Sequence, residues 1–377
     1  MENKNLHIIC LDVPFPADYG GAIDMFYRIK ALHNLGMNLT LHVFDYGRGQ
    51  QKELNQFGKV LYYKRNRSFL NLFSSRPFIV QSRKNKKLLE NLLKDDSPIL
   101  FEGIHTTWLL ENADIQKRTT FVRMHNLEDE YYRGLKKNAS LLKQFYFQQE
   151  ARKLKGYQEI LSKATFVLAI KDSDATALKD INPNVFVLPA SIPDIPGTFT
   201  KVKRYALFHG NLAVSENENA AIWIIDALKK VLDPTFPLII AGKNPSAKLK
   251  TLCRKEDVEL VESPDDKSLF QLIQEAQIHV LHTSVPSGIK LKLLSCVHSS
   301  GKILVNQNMV EGTALEPFCI IAKDAKEFKL DFIGLQNDAL TQEEFNERSQ
   351  FINQNFNNAK NCKLILKLLS QGNSNLQ

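Results

Sequence analysis

The chain has 377 residues, 44% of them hydrophobic and 24% charged, with a formal net charge of +8. This is the composition of a soluble globular protein, and the length exceeds what one core ordinarily serves, so two domains are expected. The sequence has no apolar run of about 18 residues, which excludes a membrane-spanning helix. Met1–Asn5 leads directly into an apolar strand, so no signal peptide is expected. The five cysteines, Cys10, Cys253, Cys296, Cys319 and Cys362, are scattered and odd in number. They read as reduced thiols of a cytoplasmic protein and neither as a disulfide set nor as a zinc site. The charge is uneven. Residues 1–187 carry 28 Lys and Arg against 20 Asp and Glu, whereas residues 188–377 carry 21 of each. Such asymmetry fits a surface that meets anionic lipid or anionic substrate, and it is equally common as a solubility device. The basic residues are dispersed, without the block that marks a nucleic-acid tract.

In chain order, Leu6–Leu11 is an apolar run of strand length. The loop Asp12–Gly21 follows, then a helical pattern from Ile23 to Leu35 closed by Gly36, where a left-handed cap is expected. Leu39–Phe44 is the next strand, and the resulting βαβ opening predicts a parallel sheet. The loop lacks G-x-G-x-x-G, and Gly20-Gly21 lies too far beyond the strand for a dinucleotide turn. A glycine pair there still allows close approach to the backbone. Val60–Tyr63, Pro98–Glu102, Thr120–Met124, Thr165–Ile170 and Asn184–Pro189 read as further strands. Lys84–Leu93, Ser140–Lys163 and Ser173–Lys179 read as helices.

Pro189–Thr200, with three prolines and a glycine, reads as a linker. A similar alternation then restarts. Strands are expected at Tyr205–His209, Leu238–Ala241, Val258–Val261, Ile303–Asn306 and Cys319–Ile321, and helices at Asn219–Leu232, Leu269–Ala276 and Glu343–Leu369. The stretch Gln277–His282, Thr283–Ser287 and Gly288–Val297 predicts strand, tight loop and helix. A helix starting at a glycine after a buried strand offers unpaired N–H groups and a positive dipole end, suited to phosphate. Lys290 and Lys292 lie about 200° apart on such a helix, so at most one is expected to face a ligand. His279 and His282 alternate on a strand and cannot jointly hold a metal. In open α/β sheets ligands bind beyond the carboxyl ends of the strands. That is where His105, His125, Gly210, Gly242-Lys243 and Ser287-Gly288 fall.

Several of these runs together resemble a known family. They are Gly20-Gly21, His125-Asn126-Leu127-Glu128, Phe208-His209-Gly210-Asn211-Leu212, Ala241-Gly242-Lys243, and Gly288–Ser295 followed by Gly301–Val305. Nearly the whole chain resembles a GT-B-fold glycosyltransferase of the retaining, family-4 type found in bacterial polysaccharide synthesis. The resemblance implies an α/β fold of two Rossmann-like domains facing across a cleft. An acceptor domain is expected at 1–190, completed by a crossing helix at 343–369, and a nucleotide-sugar domain at 201–340. It implies a cytoplasmic hexosyltransferase with a nucleotide-sugar donor and a saccharide or lipid-linked saccharide acceptor. It implies no cofactor, no metal and no nucleic-acid partner. Peripheral contact with the inner membrane surface is expected through the basic first domain.

By position, His125 matches the family histidine near the donor sugar, and Gly20 and Gly21 match the loop that approaches the diphosphate and acceptor. Gly210, Asn211, Lys243, Ser287, Gly288, Lys290, Lys292, Ser295 and Glu311 fall at donor-site positions. Ser287 and Ser295 stand where the family carries two glutamates with seven residues between them, and Asn211 where it carries an arginine. A serine cannot supply a carboxylate's charge-assisted bond, which is roughly twice as strong as a neutral one. Lys290 and Lys292, with Lys243 and Glu311, are the candidates to compensate. A reduced binding subunit and a sugar-nucleotide epimerase of the same fold are the competing expectations.

Overall fold

The computed structural model describes residues 4–45, 47–136, 140–193, 197–284 and 290–375. The chain forms two compact units, Met1–Pro193 with Phe356–Gln377, and Asp194–Asn355.

Among the described residues the first unit holds seven strands: β1 (Asn5–Cys10), β2 (Asn38–Asp45), β3 (Gly58–Lys64), β4 (Ile99–Glu102), β5 (Thr120–Arg123), β6 (Phe166–Ala169) and β7 (Val185–Val187). They pair in the order β3-β2-β1-β4-β5-β6-β7, and every pairing is parallel. Register is set by apolar residues. Ile8, for example, lies between Leu41 and Leu100. Because side chains alternate along a strand, the apolar runs feed two cores. Ile9, Phe101, Val122 and Val167 pack on one face with Val80, Leu109 and Leu154. Leu6, Ile8, Leu100, Phe121 and Leu168 pack on the other with Met25, Ile29 and Leu32 of helix α1 (Gly20–Asn34). That second core also takes Ile365, Leu368 and Leu369, so the last helix of the chain, Asn358–Asn375, is part of the first unit. Asn358 ties it in by exchanging two hydrogen bonds with the backbone of Ile192, at 2.7 and 3.1 Å.

The second unit repeats the winding with β8 (Lys203–His209), β9 (Leu238–Gly242), β10 (Glu259–Glu262), β11 (Ala276–Leu281), β12 (Lys302–Asn306) and β13 (Ile320–Ala322), in the order β10-β9-β8-β11-β12-β13. This is the expected α/β class with two parallel, Rossmann-like sheets. In each sheet the strand order reverses beside the first strand, between β1 and β4 and between β8 and β11. That is the switch point where ligands of open α/β sheets bind.

Two local readings are changed. The helical end at 343–369 is two helices, Gln342–Asn355 and Asn358–Asn375, and only the latter belongs to the first unit. The former is anchored in the second unit by the buried Arg348, which donates to the carbonyls of Gly301 and Ser299 at 3.0 and 2.8 Å. Helices Ala247–Lys255 and Ala325–Leu335 went unrecognised although each carries an N-cap signal. Ser246 accepts from the Leu249 N–H, and Asp324 from those of Lys326 and Glu327. Gly36 has the expected positive φ, at 82°.

Candidate functional site

At the carboxyl end of the first sheet, charge is buried. Asp24 and Arg28 come from α1, Glu102 ends β4, Arg123 ends β5, and His125 follows it. Arg28 is fully buried and grips two carboxylates at once. It reaches both Asp24 oxygens at 2.9 Å, and Glu102 at 2.9 and 2.8 Å. Arg123 donates to Asp24 at 3.2 Å and to the carbonyls of Leu188 and Pro189. The Ser191 N–H donates to the other Asp24 oxygen at 2.7 Å. His125 lies between the carboxylates, with Nε2 2.9 Å from Glu102 and Nδ1 3.3 Å from Asp24.

The electrostatics follow from this packing. Burial works against charge on every member, yet the partners prevail over it for four of the five, Arg28 among them, and only Arg123 is lowered. Asp24 is held well below the usual carboxylate range by Arg123, Arg28 and His125, and Glu102 is lowered by Arg28 and His125. His125 is raised because Asp24 and Glu102 outweigh desolvation. The two arginines and two carboxylates cancel, so a protonated His125 is the net positive charge of the cluster. Both of its ring nitrogens are engaged within the unit, and a direct polar contact from either to a ligand requires one of these bonds to open.

Around this core lie loops following β1, β4 and β5. Asp12, raised by burial, accepts from Tyr19 Oη at 3.0 Å and from the Val13 N–H at 2.8 Å. Arg83 donates to the carbonyls of Leu11 and Ile79. His105, half-buried, is kept neutral by desolvation and by Arg83. Glu128 opens the helix Glu128–Lys136 and is pushed by burial up to about 7. Gly20 and Gly21, expected in a loop, form the first turn of α1, where N–H groups have no helical partner.

Glu128 yields a pH expectation. Its folded value is raised, so the folded state holds the extra proton between about 4.5 and 7, and stability is lost as pH rises through that window. The loss reaches up to about 3 kcal/mol. Urea unfolding at pH 5 and pH 8 should show a larger drop for the wild type than for Glu128→Gln, which cannot ionise. Equal drops would contradict it.

In the second unit, β8 ends at His209 and runs through Gly210 and Asn211 into helix Ser215–Leu228. A Cβ on Gly242 would sit 1.9 Å from the Gly210 carbonyl oxygen, so only glycine allows the ends of β8 and β9 to approach this closely. Asn211 holds the turn. Its side chain accepts from the Ala213 N–H, and its carbonyl accepts from the Asn217 amide at 2.9 Å. The Lys243 carbonyl accepts from the Leu212 N–H at 2.9 Å. Ser295 is half-buried in helix Leu291–Val297, and Glu311 is exposed at the C-cap of the short helix Gln307–Val310 that follows β12. Ser287 and Gly288 lie outside the described residues.

The lysines are arranged differently from the expectation. The helix starts at Leu291, and Lys290 is its extended N-cap residue, so the 200° separation does not apply. Both ammonium groups converge on the first turn of helix Ser215–Leu228. Lys290 Nζ lies 3.4 Å from Glu216, and Lys292 Nζ donates to the Asn217 side chain. Thr283 Oγ1 also donates to Glu216, and Thr283 exchanges two hydrogen bonds with the Asn306 side chain, at 3.1 and 2.8 Å. Burial lowers Lys292 to about 8, with Glu216 opposing, and the ammonium lies 5.2 Å from the centre of the Phe208 ring. His209 and His282 are lowered by burial and by Lys292 to about 3 and about 4, hence neutral. His282 stacks on Trp223 at 3.9 Å, and His279 bonds Ser299 at 2.6 Å. Among the described residues no group of three or more His, Cys, Asp or Glu is placed to hold a metal ion.

Sequence reasoning missed Asp24, Arg28, Glu102 and Arg123 in the first unit, and Glu216, Asn217, Thr283 and Asn306 in the second. One signal was available. Glu102 and Arg123 end strands that are otherwise apolar, and a charge in such a run needs a buried partner.

Comparison with known proteins defines the fold class. No family model matches the chain. Sucrose-phosphate synthase of Thermosynechococcus elongatus superposes with a TM-score of 0.71 at 16% identity, over 97% of this chain and 98% of that one. HepE of Anabaena, in complex with UDP and glucose, superposes with a TM-score of 0.67 at 14% identity, over 97% and 99%. The UDP-forming α,α-trehalose-phosphate synthase of Burkholderia xenovorans, in complex with glucose-6-phosphate, gives 0.64 at 10% identity, over 97% and 99%. The chain therefore has the GT-B fold of these glycosyltransferases. In sequence it is 25% identical, over 96% of its length and 98% of the other's, to an uncharacterised 44.6 kDa protein in the cps region of Klebsiella pneumoniae. No described helix is long and apolar enough to cross a membrane.

Proposed function

We propose that this protein is a glycosyltransferase that moves a hexose from a nucleotide-diphosphate-sugar to a saccharide or lipid-linked saccharide. In this reading the second unit takes the donor and the first the acceptor. The observation that carries it is the convergence of Lys290 and Lys292 at the switch point of the second sheet, beside the Gly210 and Gly242 backbones. Two ammonium groups at that place supply the charge a diphosphate needs, and they stabilise it further as it leaves. Glu216 occupies the anion's place when no donor is bound, and the incoming diphosphate displaces it from the lysines. No metal is required on this account, and activity should persist in chelator. His125, held by Asp24 and Glu102 and raised in pKa by them, supplies positive potential at the sheet end of the first unit when it is protonated. The complex of HepE with UDP and the cps-region relative support the reading.

Calorimetric titration with UDP and GDP tests it, followed by a hydrolysis screen across nucleotide-sugars with and without saccharide acceptors. Binding of one nucleotide and acceptor-dependent release of it are expected. Absence of any nucleotide binding would overturn the proposal. Binding without turnover would favour a reduced GT-B binding subunit, and UDP release independent of acceptor an epimerase.

A further inference from the structure

We infer that the first unit docks on an anionic lipid surface through an exposed apolar ridge formed by Phe69, Leu70, Phe73, Leu141, Leu142 and Phe145. Each of these side chains is at least two-thirds exposed, from 68% for Phe69 and Phe145 to 87% for Leu142. Single exposed apolar residues are ordinary, but two clusters on adjoining elements are not. Phe69 and Phe73 stand on one short 3₁₀ turn, Phe69–Phe73, with their rings edge to face at 5.3 Å. Leu141, Leu142 and Phe145 open the helix Leu141–Tyr157, and positions 141 and 145 share a face. The two elements are fastened together. Lys153 of the helix donates to the Leu72 carbonyl at 2.8 Å, and Glu150 accepts from the Phe78 N–H at 2.6 Å. Arg65, ahead of the turn, is near enough to Tyr146 of the helix to act on its hydroxyl.

The charge around the ridge selects the partner. Residues 64–78 contain Lys64, Arg65, Arg67 and Arg76 and no Asp or Glu, and residues 140–149 contain Lys143 and no acid; Arg76 is paired with Glu111, which leaves Lys64, Arg65, Arg67 and Lys143 as the basic fringe. Aromatic and leucine tips within a basic fringe are the combination that binds anionic bilayers, the apolar tips entering the headgroup boundary and the cations meeting lipid phosphates. The inference does not depend on donor binding, so the two can fail separately.

The test is co-sedimentation of the full chain with phosphatidylcholine vesicles, with and without phosphatidylglycerol. Binding to the anionic vesicles is expected, falling as salt rises. The variant Leu70→Ser/Phe73→Ser/Leu141→Ser/Leu142→Ser should lose at least tenfold in partitioning, and Arg67→Glu/Lys143→Glu should lose most of its binding at low salt. All six substitutions are at exposed positions, and an unchanged urea midpoint checks that the fold is retained. Failure of the wild type to bind anionic vesicles, or equal binding by the serine variant, would overturn the inference. So would a serine variant that converts a dimer to a monomer in light scattering while binding vesicles normally, which would assign the ridge to a second copy of the chain.

Discussion

Asp24→Ala is expected to destabilise the first unit by about 3–5 kcal/mol, the cost of removing one partner from a buried ionic cluster. The carboxylate accepts from Arg28, Arg123 and the Ser191 N–H and lies beside His125 Nδ1. Its loss leaves two buried guanidinium groups sharing Glu102 alone. Stability of a typical domain totals only about 5–15 kcal/mol, so the effect should be visible as a large fall in the urea midpoint. Asp24→Ala/Arg123→Met should recover part of it, because the second change removes the stranded charge. The pH dependence has a definite sign. Asp24 is held well below its unfolded value, so its contribution is present above about pH 3.9 and is lost only as pH falls towards the folded value. A loss below about 1 kcal/mol for Asp24→Ala would show that the cluster contributes no more than surface pairs do.

Lys290→Ala/Lys292→Ala should weaken nucleotide binding at least about 100-fold, since each charge-assisted contact contributes about 1.5–3 kcal/mol and tenfold is about 1.4. Glu216→Gln should act in the opposite direction and strengthen binding several-fold, because Glu216 competes with the diphosphate for Lys290 and Lys292. Opposite signs from neighbouring substitutions are hard to produce by general damage to the fold. Because burial brings Lys292 to about 8, its charge is lost as pH rises past that value, and wild-type affinity should decline between pH 7 and 9. Calorimetry on the three proteins at both pH values reads all of this. Unchanged affinity in the double variant would place the diphosphate elsewhere.

Strand and helix positions were legible because both units repeat short apolar runs separated by helical periods. β1, β8 and β11 are buried along most of their length, so their residues advertise them. The glycine at 242 was also legible as a special position, though not its cause, the Gly210 carbonyl. The helix Glu128–Lys136 was not legible, because it is short and highly charged. Lys290 and Lys292 were recognised as a pair, but their direction was misjudged because the start of the helix was placed at Gly288 instead of Leu291. Three positions decide whether a residue is a cap or a helical turn.

By itself the sequence determined the α/β class, the two successive windings and the places where loops leave the strands, since all of these follow from local periodicity and turn chemistry. Only the tertiary structure decided which charges meet. Arg28 and Glu102 are 74 positions apart, Asp24 and Arg123 are 99, and Lys292 and Asn217 are 75. The sheet orders β3-β2-β1-β4 and β10-β9-β8-β11 bring those residues together at the strand ends. Burial then makes each partner necessary to the other, a long-range condition that leaves no periodic trace in the chain.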